Sequence, residues 1–402
     1  MSFQVTGSFQ LMKSMNRSLI LNTIRTNGAI SRADIAKITK LTPPTVTNIV
    51  NELLKENLVV ESKTGISSGG RKPILLSINS SSRYIIGLDV GVKKIRYALS
   101  DLNANLLVSK VKRMPPQLTV ESFLQVLVQV IQDSIDGMEE NKDKLLGIGI
   151  AMHGIVDSET GTSLFAPSLK LEGIKVKEHL EQLFEIPVRM ENDAKALALG
   201  EQWFGNGQGI RDLICINVGE GIGAGLIVNN RIFHGSNSIA GEIGHTMIDM
   251  NGPLCTCGSV GCFQTLASGQ ALRERAMKEI SLGKETTLIE KVNSEISNID
   301  GHIIYECAKK GDTLSQQVLK DTGHYIGIGI INIIHFFNPS LIIIGGGVSK
   351  AKEFILEPIN NVINDRAITH DSKKTPIIFS ALGDNGSLIG AITLVLTEIY
   401  TT

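Results

Sequence analysis

Cys255, Cys257 and Cys262 fall within eight residues, and His245 lies ten residues before the first of them. One imidazole and three sulfurs in C-x-C-x4-C spacing form a four-ligand set that leaves no position for water. This is the pattern of a structural zinc site, and it would pin a loop with little hydrophobic anchorage. The other reading is three buried free thiols. The chain has five cysteines, an odd number, which does not make a disulfide framework; in a reducing compartment they read better as thiolate ligands. Glu242 stands three residues before His245, and "ENDA" places Asn192 beside Asp193. Closely spaced carboxylates with an amide supply the paired acceptors and donors that a polyol needs, and an Asp can also act as a general base. Taken alone, "ENDA" reads equally well as a helix cap.

A second kind of chemistry is suggested by "INVGEGIGAG", residues 216–225. Glycines at every second position after an apolar strand form a turn that lets a phosphate approach the backbone, yet Glu220 sets a carboxylate among them. A carboxylate about 5 Å from a phosphate repels it by about 3 kcal/mol per unit charge at an effective dielectric near 20, which is about two orders of magnitude in affinity.

The elements that must position these groups are strand-rich. "YIIGLDVGVKKIRYALSDLNANLLVSKV" predicts strands at 84–90, 95–100 and 106–111 with turns at 91–94 and 101–105, and "LICINVGEGIGAGLIVNNRIFHG" repeats that plan. Helices follow each repeat, so residues 81–402 read as two related α/β halves. Residues 313–337 predict one long apolar helix, in the core rather than at a subunit interface.

Residues 1–80 differ in texture. "NRSLILNTIRTNG" sets Leu19, Ile20, Thr23 and Ile24 on one side and stops at Gly28. "SRADIAKITK" opens on Ser31 as N-cap, and "TPPTVTNIVNELLKEN" opens on Thr42 followed by proline. The connection through Thr39, Lys40 and Leu41 is as short as a helix-turn-helix requires. Val46, Ile49, Val50, Leu53 and Leu54 form the buried face of the third helix. Thr42, Thr45, Thr47, Asn48 and Asn51 stand on other faces, small hydrogen-bonding groups suited to major-groove base edges. Two short strands follow around a Gly/Ser-rich tip bearing Arg71 and Lys72, a wing able to probe a minor groove or phosphates.

Charge supports the division. The first 80 residues carry ten Lys/Arg and four Asp/Glu, +6, which leaves −7 on the remainder of a chain with net charge −1. A basic head on an acidic body points to a polyanion met by the head alone. No long uncharged apolar run suggests a membrane span or a signal peptide, so the cytoplasm is the expected location.

From about Ile85 onward the segments "GLDVGVKK", "GIGIAMHGIVD", "VRMENDAKALALGE", "INVGEGIGAG", "GSNSIAGEIGHTMID", "GPLCTCGSVGCFQTLAS", "LIIIGGGVS" and "LGDNGSLIGA" resemble, in the same order, the ROK family of repressors and sugar kinases. This family belongs to the actin-like ATPase superfamily. With a winged helix in front, the chain is similar to the family's regulators of the xylose-repressor type. The resemblance implies a winged helix-turn-helix followed by a two-lobed actin-like body, zinc on His245, Cys255, Cys257 and Cys262, and a sugar held by Asn192, Asp193, Glu242 and His245. Two positions depart from the family pattern, with Ser168 where Asn is usual and Gln264 where Glu is usual. "AMHG" also replaces the usual "PGP" and brings His153 near the sugar loop.

The phosphate turns depart further. The family's DxGGTK becomes Asp89, Val90, Gly91, Val92, Lys93, Lys94, and its GTGIGxG becomes Gly219, Glu220, Gly221 and onward. The resemblance therefore implies a degenerate kinase body with ATP unlikely as a cofactor and no catalytic residue; Lys93 and Glu220 read either as a pair across the vacant phosphate pocket or as two solvated loop residues. The expected function is a sugar-responsive repressor with double-stranded operator DNA, a small sugar and further copies of itself, as a homodimer or higher homo-oligomer, for partners. The alternative is an active sugar kinase with an appended DNA-binding head.

Overall fold

The computed structural model of the protein describes residues 9–64, 73–115 and 117–401. The chain forms two compact units, Met1–Ile150 with Lys175–Met190 and Ile392–Thr402, and Ala151–Ile174 with Glu191–Ala391.

The first unit begins with α1 (Phe9–Asn27), a short strand β1 (Ile30–Ser31), α2 (Arg32–Thr39) and α3 (Pro43–Lys55), then the antiparallel pair β2 (Val59–Thr64) and β3 (Ile74–Ile78) in the order β1-β3-β2. The caps expected from sequence are formed. Ser31 Oγ accepts the Asp34 amide at 3.1 Å, and Thr42 Oγ1 accepts that of Thr45 at 3.4 Å. Ile20, Leu21, Ile24, Ile35, Val46, Ile49, Val50, Leu53 and Leu76 form the core here. Leu19, expected inside, is 44% exposed. It lies one helical step of about 100° from Ile20, on the side away from Leu21, and so falls outside the buried arc. Leu54 is only half-buried. The wing residues Arg71 and Lys72 lie outside the described residues.

The first sheet contains β4 (Tyr84–Val90), β5 (Lys94–Asp101), β6 (Leu106–Arg113) and β7 (Leu145–Met152), with α4 (Val120–Asp136) before β7. A small antiparallel sheet of β8 (Ile155–Asp157), β9 (Thr162–Ala166) and β10 (Leu171–Ile174) follows, then α5 (Val176–Phe184) and β11 (Val188–Asn192). β11 returns to give the order β11-β7-β4-β5-β6. Helical spacing in α4 buries Phe123, Val126, Leu127, Val130 and Ile131 on one face.

In the second unit α6 (Asp193–Phe204) leads to β12 (Leu213–Val218), β13 (Ile222–Val228) and β14 (Arg231–Ile232). The cysteine-bearing loop, α7 (Phe263–Ala267), α8 (Gly269–Ser281), α9 (Leu288–Lys291), α10 (Gly301–Lys309) and α11 (Thr313–Phe337) come next. The chain closes with β15 (Leu341–Gly345), α12 (Lys352–Arg366), β16 (Ile377–Phe379) and α13 (Gly386–Tyr400). The sheet order β14-β13-β12-β15-β16 repeats that of the first: an antiparallel meander, then two further strands beside its first member. α11 lies in the core, with Val318, Ile326, Ile330 and Ile334 nearly inaccessible beside Ile342, Ile344 and Ile359.

α6 explains part of the glycine pattern. Residues 194–201 are all buried, and a Cβ on Gly225 of β13 would stand 2.5 Å from the Ala194 carbonyl oxygen. Gly225 is thus a packing requirement between strand and helix. Of the glycines in "GEGIGAG", only Gly219 and Gly221 belong to the turn before β13.

Candidate functional site

The cysteine loop folds through two short antiparallel bridges, Met247 with Cys262 and Leu254 with Val260. Met250 is 80% exposed and Leu254 74%, so apolar burial does not hold the loop together. The ligand atoms of His245, Cys255, Cys257 and Cys262 lie within 4.8 Å of one another. Cys255 Sγ is 3.6 Å from His245 Nδ1 and Cys257 Sγ is 3.7 Å from Cys262 Sγ. A tetrahedron with metal–sulfur bonds of ~2.3 Å has edges of about 3.8 Å, so the donors fit zinc. Their protonation agrees. Burial opposes ionisation of Cys255, but hydrogen bonds from Cys257, Gln264 and His245 outweigh it and bring the thiol down to about 6. Burial and the neighbouring sulfurs push Cys262 up to about 12. Cys255 therefore ionises readily, and a bound cation would favour the thiolate at Cys262 as well.

Beside this loop α6 presents its N-terminus. Asn192 caps it, with Oδ1 accepting the amides of Ala194 at 2.9 Å and Lys195 at 3.1 Å, and Nδ2 donating to the Gly154 carbonyl at 2.8 Å. "ENDA" is therefore a helix cap and also part of a larger polar cluster. Asp193, the first helical residue, accepts the Ala194 amide and the Asn192 amide nitrogen on Oδ1, and Asn217 Nδ2 at 3.4 Å on Oδ2. The helix dipole favours its charge. Burial pushes the Glu242 carboxyl up and Asp193 adds to this, while His245, Lys195 and His153 pull it down. Burial pushes the His153 imidazole down against the opposing field of Glu242. Asp193, His245, His153 and Lys195 thus act electrostatically on Glu242, and Asn192 joins them through its bond to Asp193.

Gln264 joins that group from the metal side. Its Nε2 donates to Cys255 Sγ at 3.3 Å, and its Oε1 would meet a Cβ placed on Gly221 at 3.1 Å. An amide can donate to a thiolate where the family's usual Glu could only accept. Ser168 stands exposed on the turn Pro167–Leu169, and among the described residues no hydrogen bond joins it to Asn192 or Glu242.

Sequence reasoning missed four members of the site. Glu191, 1% exposed, bonds His234 Nε2 at 2.6 Å, and that nitrogen is also 3.3 Å from Ser158 Oγ. Lys195, also 1% exposed, donates to the Ser238 carbonyl at 2.7 Å. The available signal was a lysine inside "AKALAL", a helical run apolar on every side.

The first phosphate-type turn has its own chemistry. Asp89, 8% exposed, faces Arg96 across the β4–β5 ladder, and Arg96 donates to Oδ2 from Nε at 2.8 Å and from Nη2 at 2.5 Å. Burial raises the Asp89 carboxyl and the guanidinium opposes it. The Asp89 carboxylate is thus already engaged by a neighbouring guanidinium. Gly91 closes the turn by donating to the Lys94 carbonyl at 3.1 Å, and Val92 is half-buried. In the second turn Gly219 donates to the Gly221 carbonyl at 2.9 Å and accepts from Gly269 at 2.7 Å. Lys93 and Glu220 are exposed, each on its own unit's turn.

On α3, Thr47, Asn48 and Asn51 are exposed, while Thr45 is half-buried with Oγ1 2.8 Å from that of Thr42. Among the described residues, no helix is long and apolar enough to cross a membrane.

Residues 16–60 match a winged helix-turn-helix DNA-binding family, and residues 85–398 match the ROK family. The xylose repressor of Caldicellulosiruptor bescii is 36% identical over 393 residues, covering 98% of each chain. Among solved structures, a ROK family transcriptional regulator, homolog of the E. coli MLC protein, superposes with a TM-score of 0.84 at 27% identity over 97% of both chains. A ROK family glucokinase from Streptomyces griseus, in complex with glucose and AMPPNP, superposes with a TM-score of 0.70 at 33% identity, covering 77% of this chain and 98% of its own. By sequence and by architecture, this chain belongs to the ROK family, with a winged helix-turn-helix at its N-terminal end.

Proposed function

We propose that this protein is a cytoplasmic DNA-binding transcriptional repressor whose body binds a small sugar without phosphorylating it. Full-length similarity to a xylose repressor and to a regulator structure supports the DNA-binding role. Similarity to a glucokinase crystallised with glucose supports a sugar in the body. The observation that carries the non-enzymatic reading is a contrast. Asp193, Glu242 and His245 influence one another electrostatically and Asn192 bonds Asp193, a grouping suited to a polyol, while the Asp89 carboxylate at the first turn is held by Arg96.

In this reading residues 1–80 are the head. Thr42, Thr45, Thr47 and Asn48 face base edges, Arg71 and Lys72 contact the backbone or minor groove, and two copies of the head occupy paired half-sites. Residues 81–402 are the sensor. Asp193 and Glu242 accept sugar hydroxyls, and Asn192, Ser168 and Gln264 complete the set. Zinc on His245, Cys255, Cys257 and Cys262, when bound, supplies a fixed dication that keeps the thiolates ionised and anchors the turn carrying Glu242.

A kinase is the second reading, favoured by Asp193 at the helix N-terminus and by the likeness to a glucokinase. ADP release with ATP, magnesium and a broad sugar panel separates the two. Release at background, together with calorimetric binding of at least one sugar that Asp193→Asn abolishes, is expected. Turnover above background would overturn the repressor-only reading.

A further inference from the structure

Residues 233–241 deliver Glu242 and then His245, yet this loop has little apolar anchorage: Phe233 is 48% exposed and Ile239 54%. A loop that buries so little apolar surface opens easily unless polar bonds hold it. At its ends the Phe233 amide donates to Leu226 and the Gly241 carbonyl accepts from Ala224, each at 2.8 Å. Gly241 has φ +96°, and a Cβ there would stand 2.0 Å from the Ala224 carbonyl oxygen.

Between those ends, two side chains from the junction of β11 and α6 reach into the loop. Glu191 holds His234 at 2.6 Å, and Lys195 Nζ donates to the Ser238 carbonyl at 2.7 Å. Ser238 has φ +60°, a conformation that a residue with a Cβ keeps where its surroundings fix it. Burying an ammonium is costly, and hydrocarbon of the same length would fill the space in α6 without that cost. The ammonium adds the hydrogen bond to Ser238 and a positive charge beside Glu191 and Glu242.

We propose that Lys195, backed by the Glu191–His234 pair, is a positioning residue that straps the loop 233–241 to the start of α6 and so sets how Glu242 faces Asp193. Asp193 and Lys195 are two residues apart on one helix end, so the carboxylate and the strap move together. The purpose of the strap rests on the sugar-binding reading, whereas the strap itself belongs to the unliganded chain.

Hydrogen exchange of peptides spanning 233–244 in the full-length, metal-loaded protein tests this, with wild type, Lys195→Met, Lys195→Arg and His234→Gln compared and a sugar panel titrated by calorimetry. Loss of one charge-assisted bond predicts about tenfold or faster exchange for Lys195→Met, confined to the loop. Lys195→Arg, which retains a donor, restores most of the protection, and His234→Gln accelerates exchange near the start of the loop. Any sugar bound by wild type is bound more weakly by Lys195→Met. Loop exchange in Lys195→Met equal to wild type overturns the proposal. Should that variant exchange throughout the second unit, as an unfolded protein would, His234→Gln decides the matter with Lys195 in place. If wild type binds no sugar, the sugar-binding reading fails while the exchange result still judges the strap.

Discussion

The two five-stranded sheets share one strand order, but the turns after their first strands have diverged. At the end of β4, just before its turn, Asp89 is satisfied internally by Arg96 from the neighbouring strand. After β12, the turn is bare glycine apart from an exposed Glu220, and its neighbours are the polar cluster of α6 and the cysteine loop. One half holds its carboxylate with a fixed cation of its own, and the other groups carboxylates, imidazoles and a candidate metal-ligand set. In the proposed reading the same architecture is inert at one turn and responsive at the other, because a cross-strand guanidinium can stand permanently where a bound cation would, whereas an open cluster would need metal and straps to hold it.

The largest expected effect lies on the responsive side. Removing the metal with a chelator, or replacing Cys262 with Ser, should cost several kcal/mol and release the turn bearing Glu242. Metal content and melting with and without chelator check this, and an unchanged melting curve in stripped protein would break the contrast.

On the inert side, Arg96→Met leaves Asp89 buried without its partner. Arg96 retains 25% side-chain exposure, so the expected loss is about 2–3 kcal/mol, below that of a fully buried pair. Adding Asp89→Asn should recover much of it in denaturant unfolding. If Arg96→Met is neutral, the guanidinium does not stand in for a cation.

A smaller effect concerns pH. Burial holds the His153 pKa below its unfolded value, so its contribution is complete above about pH 6.5 and is lost as pH falls through the lowered folded value. Glu242 has the opposite sign: its raised pKa makes a contribution present at low pH and lost as pH rises through that value. His153→Gln should therefore flatten the fall in melting temperature as pH drops from about 7.5 to about 5.5. A variant as acid-sensitive as wild type would remove His153 from the cluster.

Much of the scaffold was legible because its signals are local. The long helix was placed at Thr313–Phe337 from its apolar run, and the caps at Ser31 and Thr42 follow from side chains beside the amides they serve. Arg96 was legible in principle, since a turn at 91–94 sets Asp89 opposite it, but only register arithmetic shows it. The Lys195 strap was not legible, because its partner lies 43 residues away on an irregular loop. The glycines after β12 misled for the converse reason: a phosphate turn and close packing beneath α6 both require glycine, and only the fold assigns Gly225 to the second.

The most direct test is binding of the purified protein to the DNA upstream of its own and neighbouring genes, at fixed near-physiological salt, with and without each member of a sugar panel. Tight, sequence-specific binding released by one sugar is the predicted result. Absence of specific binding, together with sugar-dependent ADP release, would contradict it and make the chain a kinase that carries a head it does not use.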